Sequence, residues 1–184
     1  RARASGEELG LPEDRIYGSY EEMARREARL PDGIEAVAIV TPNHMHFPVA
    51  KAFLQRGIHV ICDKPLTATL REARKLAEIA EKSGKVFALT HNYTGYPMIR
   101  QAREMVASGA LGVLRLIHAE YVQDWLTTNI EASGQKQAAW RTDPAQSGVG
   151  GAIGDIGTHA YNLACFVSGQ DAESISCDMQ SFVK

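Results

Sequence analysis

The alternation of short apolar runs with amphipathic helices over residues 35–90 constrains the fold of this chain most strongly. Three apolar runs are typical of buried strands: EAVAIV at 35–40, HVIC at 59–62 and KVFALT at 85–90. The segments between them have the apolar spacing of helices. An order of strand, helix, strand, helix, strand predicts a parallel sheet with helices covering both of its faces.

Capping signals predict where the helices begin and end. Ser19 with Glu22, and Thr69 with Glu72, match the S/T-x-x-E capping box, in which a hydroxyl and a carboxylate satisfy free backbone amides. They predict one helix over about 19–29 and another from residue 69, with Gly84 as the C-terminal cap of the second. The predicted buried stripe of that second helix is Ala73, Leu76, Ala77 and Ala80.

Polar residues follow each predicted strand at its carboxyl end. TPN stands at 41–43, DKP at 63–65 and HNY at 91–93. In parallel α/β sheets, ligands bind outside the carboxyl ends of the strands. We therefore expect a binding site at this edge of the sheet.

The pattern changes after about residue 92. It predicts a helix over 97–108, a long strand at 113–122, a polar stretch at 123–147, a helix over 157–169 and a last strand from near Ser174. The predicted fold class is α/β, a partial Rossmann-like parallel sheet followed by part of an α+β domain with a mainly antiparallel sheet. The predicted domains are 1–91 and 92–184.

Charge, cysteines and hydropathy exclude some classes of function. The net charge of −2 gives no electrostatic reason to expect nucleic acid or an anionic membrane as a partner. No apolar run approaches the roughly 20 residues of a membrane span. The three cysteines are widely spaced, which favours a reducing compartment and hence the cytoplasm over a disulfide framework.

Lys64, Asp155 and His159 are the candidate catalytic residues. Lys64 follows a predicted strand and precedes Pro65, so it is either a crevice lysine or a surface lysine paired with Asp63. Asp155 and His159 lie four residues apart, the spacing at which a carboxylate can orient an imidazole on one helix. The alternatives are an N-cap role for Asp155 and a buried structural role for His159.

Two other stretches give weaker signals. In TPNHMH at 41–46, Asn43 is either an N-cap or part of an anion site at a helix start. His44 and His46 have the spacing of metal ligands, but no further His, Cys or Asp cluster lies nearby in the sequence. No metal ligand is predicted. SGVGG at 147–151 lacks the G-x-G-x-x-G spacing and predicts a mobile loop.

Two stretches in this order resemble the glucose-fructose oxidoreductase/inositol dehydrogenase (Gfo/Idh/MocA) family. VAIVTPNHMHFPVAKAFLQRGIHVICDKP is similar to the family's T-P-N-x-x-H and E-K-P region, and GGAIGDIGTH is similar to its G-G-x-x-x-D-x-G-x-H stretch. The resemblance covers about residues 35–170. It implies an NAD(P)-dependent oxidoreductase that transfers hydride to or from a hydroxyl or carbonyl carbon of a sugar, cyclitol or related compound. It also implies a homo-oligomer formed through the C-terminal sheet.

The resemblance implies a role for each matching residue. Lys64 matches the family lysine that touches both the nicotinamide ribose and the reacting hydroxyl. His159 matches the family's general acid/base, and Asp155 matches the carboxylate that orients the substrate and the histidine. Tyr93 is an alternative to Asn92 beside the nicotinamide, and Trp140 accompanies Arg141 in a loop that can reach the cofactor. The implied cofactor-binding residues are Thr41, Pro42, Asn43, His46, Asp63, Lys64, Asn92 and Arg141.

This chain departs from the family pattern in two ways. Asp63 stands where the family usually has Glu, and the glycine-rich turn that binds pyrophosphate is not in the sequence. We expect a piece of a longer enzyme, with incomplete dinucleotide binding and no activity of its own. The alternatives are a non-catalytic dinucleotide- or sugar-sensing protein of the same fold and an inactive fragment.

Overall fold

A computed structural model describes residues 2–180 of the chain. Within these residues the chain divides into two compact units. The first contains the residues up to His91 together with Val122–Thr158, and the second contains Asn92–Tyr121 together with the residues from His159 onward. Residues 122–158, which follow the predicted domain boundary, pack with the first unit.

The first unit contains a three-stranded parallel sheet in the order β1-β2-β3. The strands are β1 (Ala36–Ile39), β2 (His59–Cys62) and β3 (Phe87–Leu89). Ala36 pairs with His59 and Ile39 with Cys62, so the carboxyl ends of β1 and β2 lie side by side. The predicted parallel sheet is confirmed.

Helices pack on one face of this sheet. They are α2 (Tyr20–Glu27), α3 (His46–Leu54) and α4 (Leu70–Ser83), with α1 (Ala2–Glu8) preceding them. The core contains Val37 and Ile39 of β1, Val60 and Cys62 of β2, and Phe53 and Leu54 of α3, among others. Alternate residues point the other way, and Ala38, Ile61 and Ala88 are exposed. The prediction that helices cover both faces is therefore wrong for residues 2–180.

The two helix starts predicted from the capping boxes are confirmed. The Ser19 hydroxyl accepts a hydrogen bond from the Glu22 amide and the Thr69 hydroxyl from the Glu72 amide, at the starts of α2 and α4. Gly84 ends α4 in the left-handed conformation, with φ of 63°. These local contacts need no tertiary partner, which is why the sequence predicts them well.

After β3 the described chain contains helices but no further strand. The helices are α5 (Pro97–Ala107), α6 (Lys136–Arg141), α7 (Pro144–Ser147) and α8 (Thr158–Ser168), and a π-helical turn, Ile153–Gly157, precedes α8. The described residues form no strand at 113–122 or at 174–180, and the rest of the last predicted strand lies outside the described residues. Residues 113–120 are exposed, and a strand requires a paired backbone that these segments do not find. The antiparallel sheet is not confirmed.

No helix within residues 2–180 is long and apolar enough to cross a membrane.

Candidate active site

The turn after β1 is held to the polar stretch at 136–148. Asn43 is buried, and its side-chain amide donates a hydrogen bond to the Ser147 carbonyl at 2.8 Å. His44 Nδ1 lies 3.3 Å from the Gln146 carbonyl. The N-cap of α3 is Met45, so the N-cap role considered for Asn43 is wrong. The Asn43 amide instead connects the end of β1 with the end of α7.

His46 connects the turns that follow β1 and β2. Its side chain is fully buried, with Nδ1 2.7 Å from the Pro65 carbonyl and Nε2 2.9 Å from the Thr41 carbonyl. A side chain with no exposed surface cannot touch a bound molecule. The structure thus gives His46 a supporting role in place of the predicted direct contact with a dinucleotide.

Asp63 fixes the backbone at the end of β2. Its Oδ1 accepts hydrogen bonds from the Lys64 amide at 3.0 Å and from the Thr90 hydroxyl, beyond β3, at 2.6 Å. The Lys64–Pro65 peptide bond is cis. The short Asp63 side chain therefore folds back onto the polypeptide and ties the ends of two neighbouring strands.

The Lys64 ammonium is bound to Asp155. Its Nζ donates to the Asp155 backbone carbonyl at 2.6 Å and to Asp155 Oδ1 at 2.7 Å. The Lys64 side chain is only 14% exposed, so the alternative of a surface lysine paired with Asp63 is wrong. Asp155 lies inside the π-helical turn, not at a helix N-cap. Such turns are frequent at functional sites.

Arg141 binds the second oxygen of the same carboxylate. Its Nε donates to Asp155 Oδ2 at 3.2 Å. The guanidinium carbon lies 4.3 Å from the centre of the Trp140 ring and 5.7 Å from that of the Trp125 ring. The guanidinium also donates hydrogen bonds to the backbone carbonyl and side-chain oxygen of Gln137. Two cations thus share one carboxylate, which leaves one net positive charge.

His91 lies two residues after β3, in surroundings that disfavour its charged form. Burial, with a smaller contribution from the Lys64 ammonium, lowers the pKa of the His91 imidazole. At neutral pH this imidazole adds no further positive charge to the first unit.

These residues line a cavity of about 690 Å³ in the first unit. It lies at the carboxyl ends of β1 and β2, and its walls include Thr41, Pro42, Asn43, Asp63, Lys64, Arg141 and Asp155. The cavity combines an apolar wall at Val40 and Pro42, an aromatic ring and three cations, Lys64, Lys136 and Arg141. That combination fits the ring and ribose of a nicotinamide nucleotide, whose polar groups need donors at fixed positions. No cluster of side chains within residues 2–180 is suited to hold a metal ion.

A second group of rings surrounds His159 in the second unit. His159 is buried, and the Tyr93 ring packs edge-on against its imidazole at 4.8 Å. The Tyr93 and Tyr121 hydroxyl oxygens are 2.6 Å apart. This hydrogen bond, together with burial, raises the pKa of Tyr93 to about 12, so Tyr93 stays protonated at neutral pH. Asn92 is exposed in the same unit.

A mostly apolar groove of about 480 Å³ adjoins His159. Its walls are formed by residues 117–121 and by Ala160, Leu163, Ala164 and Val167 of α8. One edge carries His159 with Tyr93 and Tyr121. An imidazole between two phenol rings, beside an apolar groove, is suited to bind the polar edge of a small molecule.

The structure brings together only part of the predicted set. Lys64, Asp155 and Arg141 meet in the first unit, beside Thr41, Pro42, Asn43 and Asp63. The sequence analysis did not predict Gln137 or Trp125 as part of this site. Their only signal was a polar stretch that contains both of the chain's tryptophans, which is too weak to assign contacts.

Comparison with known proteins identifies the family. Residues 1–104 match the family described as an oxidoreductase family with an NAD-binding Rossmann fold, and residues 99–184 match the GFO/IDH/MocA C-terminal domain. The chain therefore belongs to the Gfo/Idh/MocA oxidoreductase family, as the resemblance predicts.

Individual relatives agree with this assignment. An oxidoreductase from Sinorhizobium meliloti is 55% identical with a TM-score of 0.84, over 99% of this chain and 45% of its own. An inositol dehydrogenase homolog from Azotobacter vinelandii, crystallised with NAD+, is 41% identical with a TM-score of 0.85, over 91% of this chain and 43% of its own. Levoglucosan dehydrogenase from Pseudarthrobacter phenanthrenivorans is 33% identical over 76% of this chain and 34% of its own.

The chain spans less than half the length of each of these proteins.

Proposed function

We propose that the protein containing this chain is an NAD(P)-dependent oxidoreductase that acts on a hydroxyl or carbonyl carbon of a sugar, cyclitol or related compound. The observation that carries the proposal is the Lys64 ammonium, bound to Asp155 beside a cavity at the strand ends. The inositol dehydrogenase homolog binds NAD+, and the name of levoglucosan dehydrogenase indicates a sugar-derived substrate. Both support this class of substrate.

Lys64 is proposed to act on the substrate oxygen. An ammonium has three N–H donors, and the hydrogen bonds among residues 2–180 engage two of them, both at Asp155. The third is available to the oxygen of a bound substrate. When the alcohol is oxidised, its carbon loses a hydride and its oxygen loses a proton, and a nearby cation stabilises the negative charge that develops on that oxygen.

The nicotinamide ring, when bound, accepts or supplies the hydride. Thr41, Pro42, Asn43 and Asp63 are proposed to form the wall against which it binds, because they line the same cavity as Lys64. Arg141 also lines this cavity, where its guanidinium is engaged by Asp155 and Gln137. His46 is proposed to support this wall from inside. Asn92 remains a proposed cofactor contact on the family resemblance alone.

His159 is proposed to carry the proton of the substrate hydroxyl. Its imidazole is the side chain type best suited to proton transfer near neutral pH. The Tyr93 and Tyr121 rings hold that imidazole in place within the second unit. This role rests on the family resemblance and on those contacts.

Several finer features also remain proposals. The residues up to 91 are proposed to be part of the NAD(P)-binding domain and residues 92–184 part of the substrate and oligomerisation domain. The segments 113–122 and 174–180 are proposed to join an antiparallel sheet in the longer protein, through which it forms homo-oligomers. The cytoplasm is the proposed location, from the three widely spaced cysteines.

The test uses the protein that contains this chain. We expect absorbance at 340 nm to report turnover with NAD+ or NADP+ on at least one compound of a panel of inositols, anhydrosugars and glycosides. Lys64→Ala should lower kcat by about a hundredfold or more, the range seen when a donor to a developing oxyanion is removed. Lys75→Ala, which changes an exposed lysine on α4, is the matched control and should keep full activity.

Two results would contradict the proposal. Undiminished turnover in Lys64→Ala would remove Lys64 from the site. Tight binding of NADH without turnover across the panel would favour the non-catalytic sensing alternative.

A further inference from the structure

The Asp155 carboxylate divides its two oxygens between two cations. Oδ1 accepts from the Lys64 ammonium at 2.7 Å and Oδ2 accepts from Arg141 Nε at 3.2 Å. The three side chains are each less than a quarter exposed, at 14% for Lys64, 22% for Asp155 and 24% for Arg141. Charge-assisted hydrogen bonds of this kind are short and directional when water is mostly excluded. Rotation of the carboxylate would break both at once.

Arg141 is itself held by three residues. Its guanidinium carbon lies 4.3 Å from the centre of the Trp140 ring and 5.7 Å from that of the Trp125 ring, both within the distance for attraction between a cation and an aromatic face. Gln137, one turn earlier on α6, accepts hydrogen bonds from the guanidinium at its backbone carbonyl and its side chain.

We propose that Arg141 is a positioning residue: it fixes the Asp155 carboxylate, and thereby the Lys64 ammonium, through the contact of its Nε with Asp155 Oδ2. Trp125, Trp140 and Gln137 hold the guanidinium for this purpose. A lysine cannot replace it, because an ammonium lacks the flat, forked shape that allows stacking and a directed bond together.

The consequence for catalysis rests on the proposed function. With Asp155 fixed at both oxygens, the Lys64 ammonium keeps two of its donors on Asp155 and presents the third in one direction. Loss of the Arg141 contact leaves Oδ2 free to turn, and the ammonium then loses its fixed orientation. The proposed role differs from a direct Arg141 contact to the cofactor, which the family resemblance implies.

The first test needs no turnover. The chain is labelled with a lysine-reactive acylating reagent, and the labelling rate at Lys64 is followed by mass spectrometry of its peptide. We expect Arg141→Ala and Arg141→Gln to increase this rate about tenfold, the factor that corresponds to roughly 1.4 kcal/mol. Arg71→Ala, which removes an exposed arginine from α4, is the matched control and should leave the rate unchanged. Circular dichroism verifies that each variant is folded.

The second test separates positioning from cofactor binding in the protein that contains this chain. Arg141→Gln should lower kcat by about ten- to a hundredfold, the cost of a small misplacement of a catalytic group, with little change in the Kd for NADH measured by fluorescence. Adding ethylguanidinium to Arg141→Ala should restore part of kcat, because the small cation matches the part of the side chain that was removed and can bind beside Trp140.

Three outcomes would overturn the proposal. They are an unchanged Lys64 labelling rate in both Arg141 variants, a higher Kd for NADH with normal kcat, and a failure of ethylguanidinium to restore activity. If Lys64 labelling rises as expected but no variant and no wild-type protein turns over any substrate, the positioning contact stands and the proposed function is the part that fails.

Discussion

Several side chains around the candidate site form hydrogen bonds to other protein groups and are largely shielded from solvent. His46 is the clearest case, because its two ring nitrogens meet the Thr41 and Pro65 carbonyls and its side chain is fully buried. The sequence placed it among residues that line a ligand. The structure shows that it connects the two backbone turns on which Thr41 and Lys64 depend.

We predict that His46→Ala lowers the free energy of unfolding by about 2–4 kcal/mol, because a backbone carbonyl loses its hydrogen-bond donor and a cavity replaces the ring. Urea denaturation followed by circular dichroism measures the change. His118→Ala removes a histidine whose side chain is 76% exposed and serves as the control. Equal stability of the two variants would show that the bridge contributes nothing.

Elements are positioned by close backbone contacts as well as by side chains. Gly148 is the C-terminal cap of α7 and has φ of +85°. A Cβ at this position would lie 2.8 Å from the Ala68 carbonyl oxygen. Gly148, in the SGVGG stretch that the sequence predicted to be a mobile loop, therefore has a structural role. On α4, by contrast, Ala77 is exposed although the periodicity assigns it to the buried stripe.

Gly148→Ala should destabilise the contact between α7 and the chain at Ala68 by about 1–3 kcal/mol, the cost of a positive-φ backbone conformation that is essentially restricted to glycine. Hydrogen exchange should become faster at the amides of 145–148. Gly95→Ala is the control, since no atom lies within 4 Å of its added Cβ and its φ is not positive. Unchanged exchange in Gly148→Ala would mean that Ala68 and Gly148 separate without cost.

At the scale of the whole molecule, a buried carboxylate holds together the stretch from residue 15 to residue 34, which leads into β1. Glu27 at the end of α2 is 3% exposed and accepts hydrogen bonds from Arg15, Tyr17 and the Ile34 amide, just before β1. Burial opposes its ionisation, but the bonds from Tyr17 and Ile34 and the charge of Arg15 outweigh burial and lower the pKa of Glu27.

Because the pKa of Glu27 is lowered in the folded chain, the stability that its carboxylate contributes depends on pH. The stabilisation is present above the ordinary value of 4.5 and is lost as the pH falls through the lower value of the folded chain. We expect Glu27→Gln to be less stable than the wild type by about 1–3 kcal/mol at pH 7. The stabilities of the two proteins should converge as the pH falls through the lowered pKa of Glu27.

Urea denaturation at a series of pH values tests this expectation. Glu78→Gln, which changes an exposed carboxylate on α4, should follow the wild type at every pH. A constant difference between Glu27→Gln and the wild type from pH 7 to acid conditions would contradict an ionised Glu27 as the source of the stability.

The sequence by itself determined the features that arise from local chemistry and from periodicity. The three parallel strands, the two capped helices and the family membership all follow from short patterns of neighbouring residues. The placement of Lys64 at a strand end follows from the same patterns. Hydrogen-bonding caps and alternating apolar residues require no knowledge of distant partners.

Tertiary structure alone decided which polar groups meet. Asp155 lies 91 residues after Lys64, and Asn43 lies 104 residues before Ser147, so no local pattern could pair them. The burial of His46 and the contacts of Arg141 depend likewise on how separate segments pack. The segment 113–122 has a strand-like sequence but forms no strand, because it has no neighbouring backbone to pair with.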